Sequence, residues 1–160
     1  MQSMFSNASQ APSSTNGPPA SNGTERSWFA RFFRVKPLAK VICFSISRKK
    51  ARQELMILMK EWQRHGIRDV LCQDNTITAR VDKQNSLEIK PVSFMIQLFV
   101  VLEQGKKVNI CAARFMQVKG AGSAFRKVIE VVDGIMRGRG WLVEDEEKWS
   151  ALAEIVGTGT

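Results

Sequence analysis

The sequence has little of what catalysis or life outside the cell would need. Its 160 residues hold one histidine, His65, and three cysteines, Cys43, Cys72 and Cys111. An odd number of widely spaced thiols, each inside an apolar strand-like run, argues against a disulfide framework or a zinc site; buried thiols of a cytosolic protein are expected instead. No run approaches the ~20 apolar residues that a spanning helix requires. The N-terminus, MQSMFSNASQ, lacks both the basic region and the apolar stretch of a signal peptide, so secretion is not expected. His65 has no acid or nucleophile that the sequence would pair with it, and it is read as a cation at a helix end. The carboxylates are scattered, and no metal-ligand spacing occurs. Gly120-Ala121-Gly122 lacks the Lys-Ser/Thr ending of a phosphate-binding loop and is read as a plain strand-to-helix turn. Neither an enzyme nor a cofactor or metal is expected.

What the chain does have is positive charge, unevenly placed. The formal net charge is +9. Residues 1–26 hold one acid and one base, and residues 144–160 hold five acids and one base. That leaves 22 bases and nine acids in residues 27–143, a body at +13 with an acidic tail. Such a distribution implies an anionic partner, whether lipid, nucleic acid or acidic protein. The segment 27–40, SWFARFFRVKPLAK, interleaves Trp28, Phe29, Phe32 and Phe33 with Arg31, Arg34, Lys36 and Lys40 and contains no acid. Aromatic rings settle at the headgroup level of a bilayer while Arg and Lys meet phosphates, so Trp28, Arg31, Phe32, Arg34 and Lys36 are candidate membrane contacts. The alternative is that the rings fold back onto the domain core.

The chain divides by composition. Residues 1–26, rich in Ser, Asn, Pro and Gly, read as a disordered linker that attaches the domain to something upstream. An ordered domain is expected over 27–143, and an acidic tail with a possible short helix over 144–160. The stretch 40–46 reads as a strand with Ile42, Phe44 and Ile46 on one face. Ser47 caps a helix over 48–65, in which Ala51, Leu55, Leu58, Met59 and Trp62 share a face. Lys49, Arg52, Lys60 and Arg64 gather nearly opposite, with Glu54 and Glu61 on a flank, and Gly66 ends the helix.

Two strands over 67–73 and 76–82 meet at Asp74-Asn75. A more apolar strand over 92–103 turns at Gln104-Gly105-Lys106 into a strand over 108–118, where faltering alternation at Ala112-Ala113 suggests a bulge. Ser123 is placed to cap a last helix, in which Phe125, Val128, Ile129, Val132, Ile135 and Met136 form a buried stripe. In the tail, Trp149, Leu152, Ala153 and Val156 fall on one side of a short helix, and Glu144, Asp145, Glu146 and Glu147 either open that helix or lie across the basic face. The fold class is α+β: an antiparallel four- to five-stranded sheet with two helices packed on one face, in the order β-α-β-β-β-β-α. A nucleic-acid-binding domain is the rival reading of the charge, but Phe94 and Phe99 lie in a strand too apolar for an exposed stacking platform.

These same segments carry a family resemblance. The opening WFARFFRVKP, the helix SRKKARQEL and the ARF…G-x-G-x-x-F junction (Arg114, Phe115, Gly120, Gly122, Phe125) resemble the kinase-associated-1 domain over about residues 27–143. The chain looks most like the fungal form that closes septin-associated, Nim-type serine/threonine kinases of the division site. The resemblance implies a membrane-targeting module that binds acidic phospholipids such as phosphatidylserine and phosphoinositides through a basic patch. It also implies possible restraint of the protein's own kinase domain, septin-associated cortex proteins as partners, and a cytoplasmic, peripheral location at the plasma membrane or division-site cortex. Nucleic acid is not among the expected partners. The chain itself carries no Gly-rich nucleotide loop, H-R-D catalytic loop or D-F-G.

Carried over position by position, the family's patch falls on Lys49, Lys50 and Arg52 of the first helix and on Arg114 and Lys119 of the last strand. Where animal members often have two further bases after the Arg-Phe pair, this chain has Met116 and Gln117. That departure favours a diffuse patch extended by Arg126 and Lys127 over a tight headgroup pocket.

Overall fold

Residues with alternating apolar side chains pair into strands, and those with apolar side chains every three to four residues cover them. The computed structural model describes residues 37–158; the linker expected over 1–26 and the candidate contacts Trp28, Arg31, Phe32, Arg34 and Lys36 lie outside the described residues. Five strands form one antiparallel sheet: β1 (Ala39–Phe44), β2 (Ile67–Gln73), β3 (Thr76–Val81), β4 (Val92–Glu103) and β5 (Lys106–Gly120), in the spatial order β1-β5-β4-β3-β2. Helix α1 (Arg48–Glu61) follows β1, and α2 (Gly122–Gly138) follows β5. Both cover one face. Their stripes, Leu55, Leu58 and Met59 from α1 and Phe125, Val128 and Val132 from α2, meet Ile42, Phe44, Ile77, Phe94, Ile96 and Phe115 of the sheet in one buried core.

Several local details differ from the sequence expectation. The first helix tightens after Glu61 into a 3-10 turn, Trp62–His65, and Gly66 then takes φ 109. Glycine is required there, since an added Cβ would lie 2.5 Å from the Asn85 Cβ and 2.6 Å from the Gln84 oxygen. Glu54, placed on a flank by helical periodicity, is 9% exposed and ion-paired to Lys50. Helix α2 begins before Ser123, with Ala121 at the N-cap and no side-chain cap. Cys43 and Cys111 are buried, whereas Cys72, on edge strand β2, is partly exposed.

The bulge expected at Ala112-Ala113 is absent. Those residues pair regularly with Phe99 and Leu98, and the register instead slips between Ser93 and Phe94 and between Val100 and Leu102. Alternation falters in β5 because the strand is covered on both faces: Cys111, Ala112, Ala113, Arg114 and Phe115 are all buried. The second cover is α3 (Glu146–Thr158). Trp149, Leu152, Ala153 and Val156 pack against Val41, Cys43, Val101, Ala112 and Val143 on the outer face of the sheet. Asp145 accepts the Lys148 N–H at 3.1 Å, and Glu146 and Glu147 occupy the first turn. The tail acids thus open a helix on the face turned away from α1, where they suit its dipole.

The connection from α2 to α3 also closes the free edge of β1. Ser45 donates to the Trp141 carbonyl at 2.8 Å, Val143 donates to that of Cys43 at 2.9 Å, and the Trp149 indole N–H donates to that of Val41 at 3.3 Å.

Candidate functional site

The first turn of α1 is built against its own dipole. Ser47 accepts the Lys50 N–H at 3.2 Å, so the helix is capped in the ordinary way, yet the following residues are Arg48, Lys49 and Lys50 with no acid among them. A cation at the positive pole of a helix costs roughly 0.3–1 kcal/mol, and an anion docked there recovers it. The C-terminus of α2 arrives at the same place. Through the Ser45–Trp141 hydrogen bond, Trp141 stands beside the start of α1, with Lys50 Nζ and Arg139 Cζ each 5.6 Å from its ring centroid. Such cation–π contacts hold the two long side chains at the surface. Lys49 and Arg139 are exposed, and Arg48 is half-buried. Burial pushes the nearby Cys111 thiol up to about 12, against a backbone hydrogen bond at Phe99 and, more weakly, the Arg48 charge.

Two of the bases assigned from sequence have structural engagements as well. Lys50 ion-pairs with Glu54 at 3.1 Å. Arg52 donates to the Asp74 carbonyl at 3.0 Å and to Asn75 Oδ1 at 3.3 Å, and so fastens α1 to the β2–β3 turn. Lys119, Arg126 and Lys127 lie elsewhere. Cys111 is level with Phe44 at the end of β1, next to the start of α1, and Lys119 stands eight residues further along β5. At about 3.3 Å per residue that is roughly 25 Å. Arg126 is exposed near the start of α2, and Lys127 pairs with Glu130 at 3.4 Å, so these bases form a second group at the opposite end of the sheet. Arg114 joins neither group: it is 9% exposed on the outer face, level with Val41 and Gln97.

Other bases are neutralised locally. Arg80 pairs with Asp69 and, at 3.2 Å, with Asp82, and Arg68 lies 3.9 Å from Asp82. The Lys83 N–H, followed by the Arg80 guanidinium, holds the Asp82 carboxyl below its usual range. Arg137 pairs with Asp133 at 3.3 Å. The α1 end gathers Arg48, Lys49, Lys50 and Arg139 with one ion pair, Lys50–Glu54, among them. Sequence reasoning found Lys49 and Lys50 but left out Arg48, Arg139 and Trp141. Arg139 closes α2 far along the sequence from α1, and only the fold brings it across.

A groove of about 540 Å³ runs between β1 and α2 and is lined by Leu38, Val41, Ile42, Phe125, Ile129 and Trp149 among others. It is chiefly apolar, with Arg126, Glu130 and Asp133 at its lip. Among the described residues no group of three His, Cys, Asp or Glu could hold a metal ion, and no helix is long and apolar enough to cross a membrane.

The class that these features define is a small α+β module with exposed bases at the start of its first helix. Residues 24–143 match the fungal kinase associated-1 domain, and the chain belongs to that family. It is also similar to the mitosis inducer protein kinase cdr2 of Schizosaccharomyces pombe (strain 972 / ATCC 24843), with 32% identity over 125 residues. That match takes in 68% of this chain but only 15% of the kinase. Helix α3 lies beyond the part that matches the family.

Proposed function

We propose that residues 27–143 are a membrane-targeting module, which binds acidic phospholipids through the bases at the start of α1 and recruits an attached serine/threonine kinase to the cytoplasmic face of the plasma membrane or the division-site cortex. The observation that carries this reading is the acid-free first turn of α1, Arg48, Lys49 and Lys50, joined by Arg139 across Trp141. Lys49 and Lys50 are the principal contacts, and Arg52 positions them by fixing the helix to the β2–β3 turn. Lys119, Arg126 and Lys127 are a second, weaker contact on the same membrane or on another partner. Arg114 acts only where the outer face is engaged. Trp28, Arg31, Phe32, Arg34 and Lys36 would add a further contact immediately N-terminal to β1.

Each base near an anionic leaflet contributes about 1 kcal/mol. Four bases at the α1 end therefore give about 4 kcal/mol, a dissociation constant near the millimolar range. Recruitment at that strength works when the attached protein has a second contact, such as septin-associated cortex proteins, which raises the effective concentration. The kinase similarity supports a further role for the same end, in which it rests on the attached kinase domain and releases it when lipid competes.

The test is co-sedimentation of the chain with neutral, phosphatidylserine and phosphoinositide vesicles at two salt concentrations, with duplex DNA as competitor. Binding to anionic vesicles alone, weakened by salt and little displaced by DNA, is the expected result. Failure on every vesicle overturns the reading, and displacement by DNA favours a nucleic-acid partner. The outer sheet face offers little to a nucleic acid: Phe94 is in the core, and Phe99, 37% exposed, pairs with Ala112 rather than with a second ring.

A further inference from the structure

The β4–β5 hairpin reaches beyond the rest of the sheet. β1 stops at Phe44, level with Cys111, so residues 106–110 of β5 have no β1 partner and carry the hairpin roughly 15 Å past the end of β1. Its turn is tight, with Gln104 at φ 51 and Gly105 at φ 77, the two left-handed residues of a type I′ connection. Between Val100 and Leu102 the register slips by two residues, the extra pair lying in β5, so side chains keep their alternation to the end of the hairpin. Val101 turns to the outer face and is buried with α3, so Leu102, its neighbour, turns to the α1 side, where it is 59% exposed opposite Lys107.

A single exposed leucine is ordinary; the position of this one is not. Lys107, Asn109 and Cys111 alternate along one face of β5; Cys111 is level with Phe44, four residues before α1, and lies in the core that α1 covers, so Leu102 and Lys107 project from the same side as the basic start of α1. Lys106 and Lys107 are both exposed, and the one acid near the turn, Glu103, is bound by Lys148 of α3 at 2.8 Å. Val108 and Ile110 pack with α3 on the outer side, so the hairpin is braced.

We propose that this hairpin is a membrane wedge: Leu102 enters the interfacial layer of an anionic bilayer while Lys106, Lys107, Arg48 and Lys49 meet its headgroups. The inference rests on the membrane-targeting reading and adds an apolar contact that the bases cannot supply. Salt screens the basic contribution but leaves the leucine's largely intact.

The experiment compares wild type, Leu102→Ala, Leu102→Phe and Lys49→Glu on phosphatidylcholine vesicles doped with phosphatidylserine, across a salt series and alongside thermal melts. Leu102→Ala should weaken binding about tenfold, with the same dependence on salt as wild type and an unchanged melting midpoint, and Leu102→Phe should bind as well as wild type. Equal binding by Leu102→Ala and wild type, with Lys49→Glu defective, overturns the wedge and leaves the membrane reading standing. Absence of binding by wild type overturns both.

Discussion

Reversing Lys49 and Arg139 to glutamate together should remove binding to anionic vesicles without unfolding the domain. Each base contributes about 1 kcal/mol near an anionic leaflet, and a carboxylate in its place is repelled by a similar amount. Two reversals therefore cost about 4 kcal/mol, close to a thousandfold in affinity at 1.36 kcal/mol per tenfold. The matched control is Lys119→Glu with Arg126→Glu, the same change in net charge at the other end of the sheet. Those positions stand roughly 25 Å from the start of α1, three times the ~8 Å screening length at physiological salt, so the control should lose less than about threefold. The stability readout is independent of lipid. Lys49 occupies the first turn of α1 beside the N-terminal pole, so Lys49→Glu alone should stabilise the domain by about 0.5 kcal/mol and raise its melting midpoint by roughly 2 °C. Vesicle co-sedimentation and a thermal melt measure the two effects on the same preparations. Equal losses from the two double variants, or a lower midpoint for Lys49→Glu, would refute the argument that α1 trades stability for an anion-facing end.

Three further outcomes test the fold. Trp149→Ala removes the indole hydrogen bond to Val41 and much of the packing of α3; a loss of about 2 kcal/mol is expected, together with labelling of Cys43 by a thiol reagent that does not reach it in wild type. Burial pushes the Cys43 thiol from 9.0 up to about 11, so the native state keeps a proton that the unfolded chain releases. Stability should therefore be intact below pH 9 and fall by about 1.4 kcal/mol per pH unit between pH 9 and 11 for this thiol, and Cys43→Ala, followed by denaturant melts, should flatten that slope. Gly66→Ala meets both a left-handed backbone and the Asn85 Cβ at 2.5 Å, and should cost more than about 2 kcal/mol, whereas Gly105→Ala, with nothing within 4 Å of the added carbon, should cost about 1 kcal/mol.

The sheet and the two core helices were legible because each is amphipathic with a single covered face, so periodicity in Ile77-Ala79-Val81 or Phe125-Val128-Ile129 reports burial directly. Where a strand is covered twice that signal disappears: Cys111 through Phe115 are buried on both sides, and the loss of alternation looked like a bulge. Arg114 was assigned to an exposed patch for the same reason, since nothing local announces that α3 covers the neighbouring outer face. The true irregularity, opposite Val100–Leu102, puts two extra residues into β5, and a two-residue slip keeps the alternation and leaves no mark on the pattern. Lys49 and Lys50 could be read from the helix alone. Their association with Arg139 could not, because it depends on Trp141 being hydrogen-bonded beside Ser45.

The two edges of the sheet are closed in different ways. The β1 edge is held laterally by Trp141, Val143 and Trp149, while β2 slips register between Arg68 and Leu71 and carries the charges of Arg68 and Asp69. An open edge is a template for another chain. A protein gathered on a surface is confined to two dimensions, where its neighbours are far more crowded than in solution. With both margins blunted, such crowding can bring many copies side by side without joining their sheets into one.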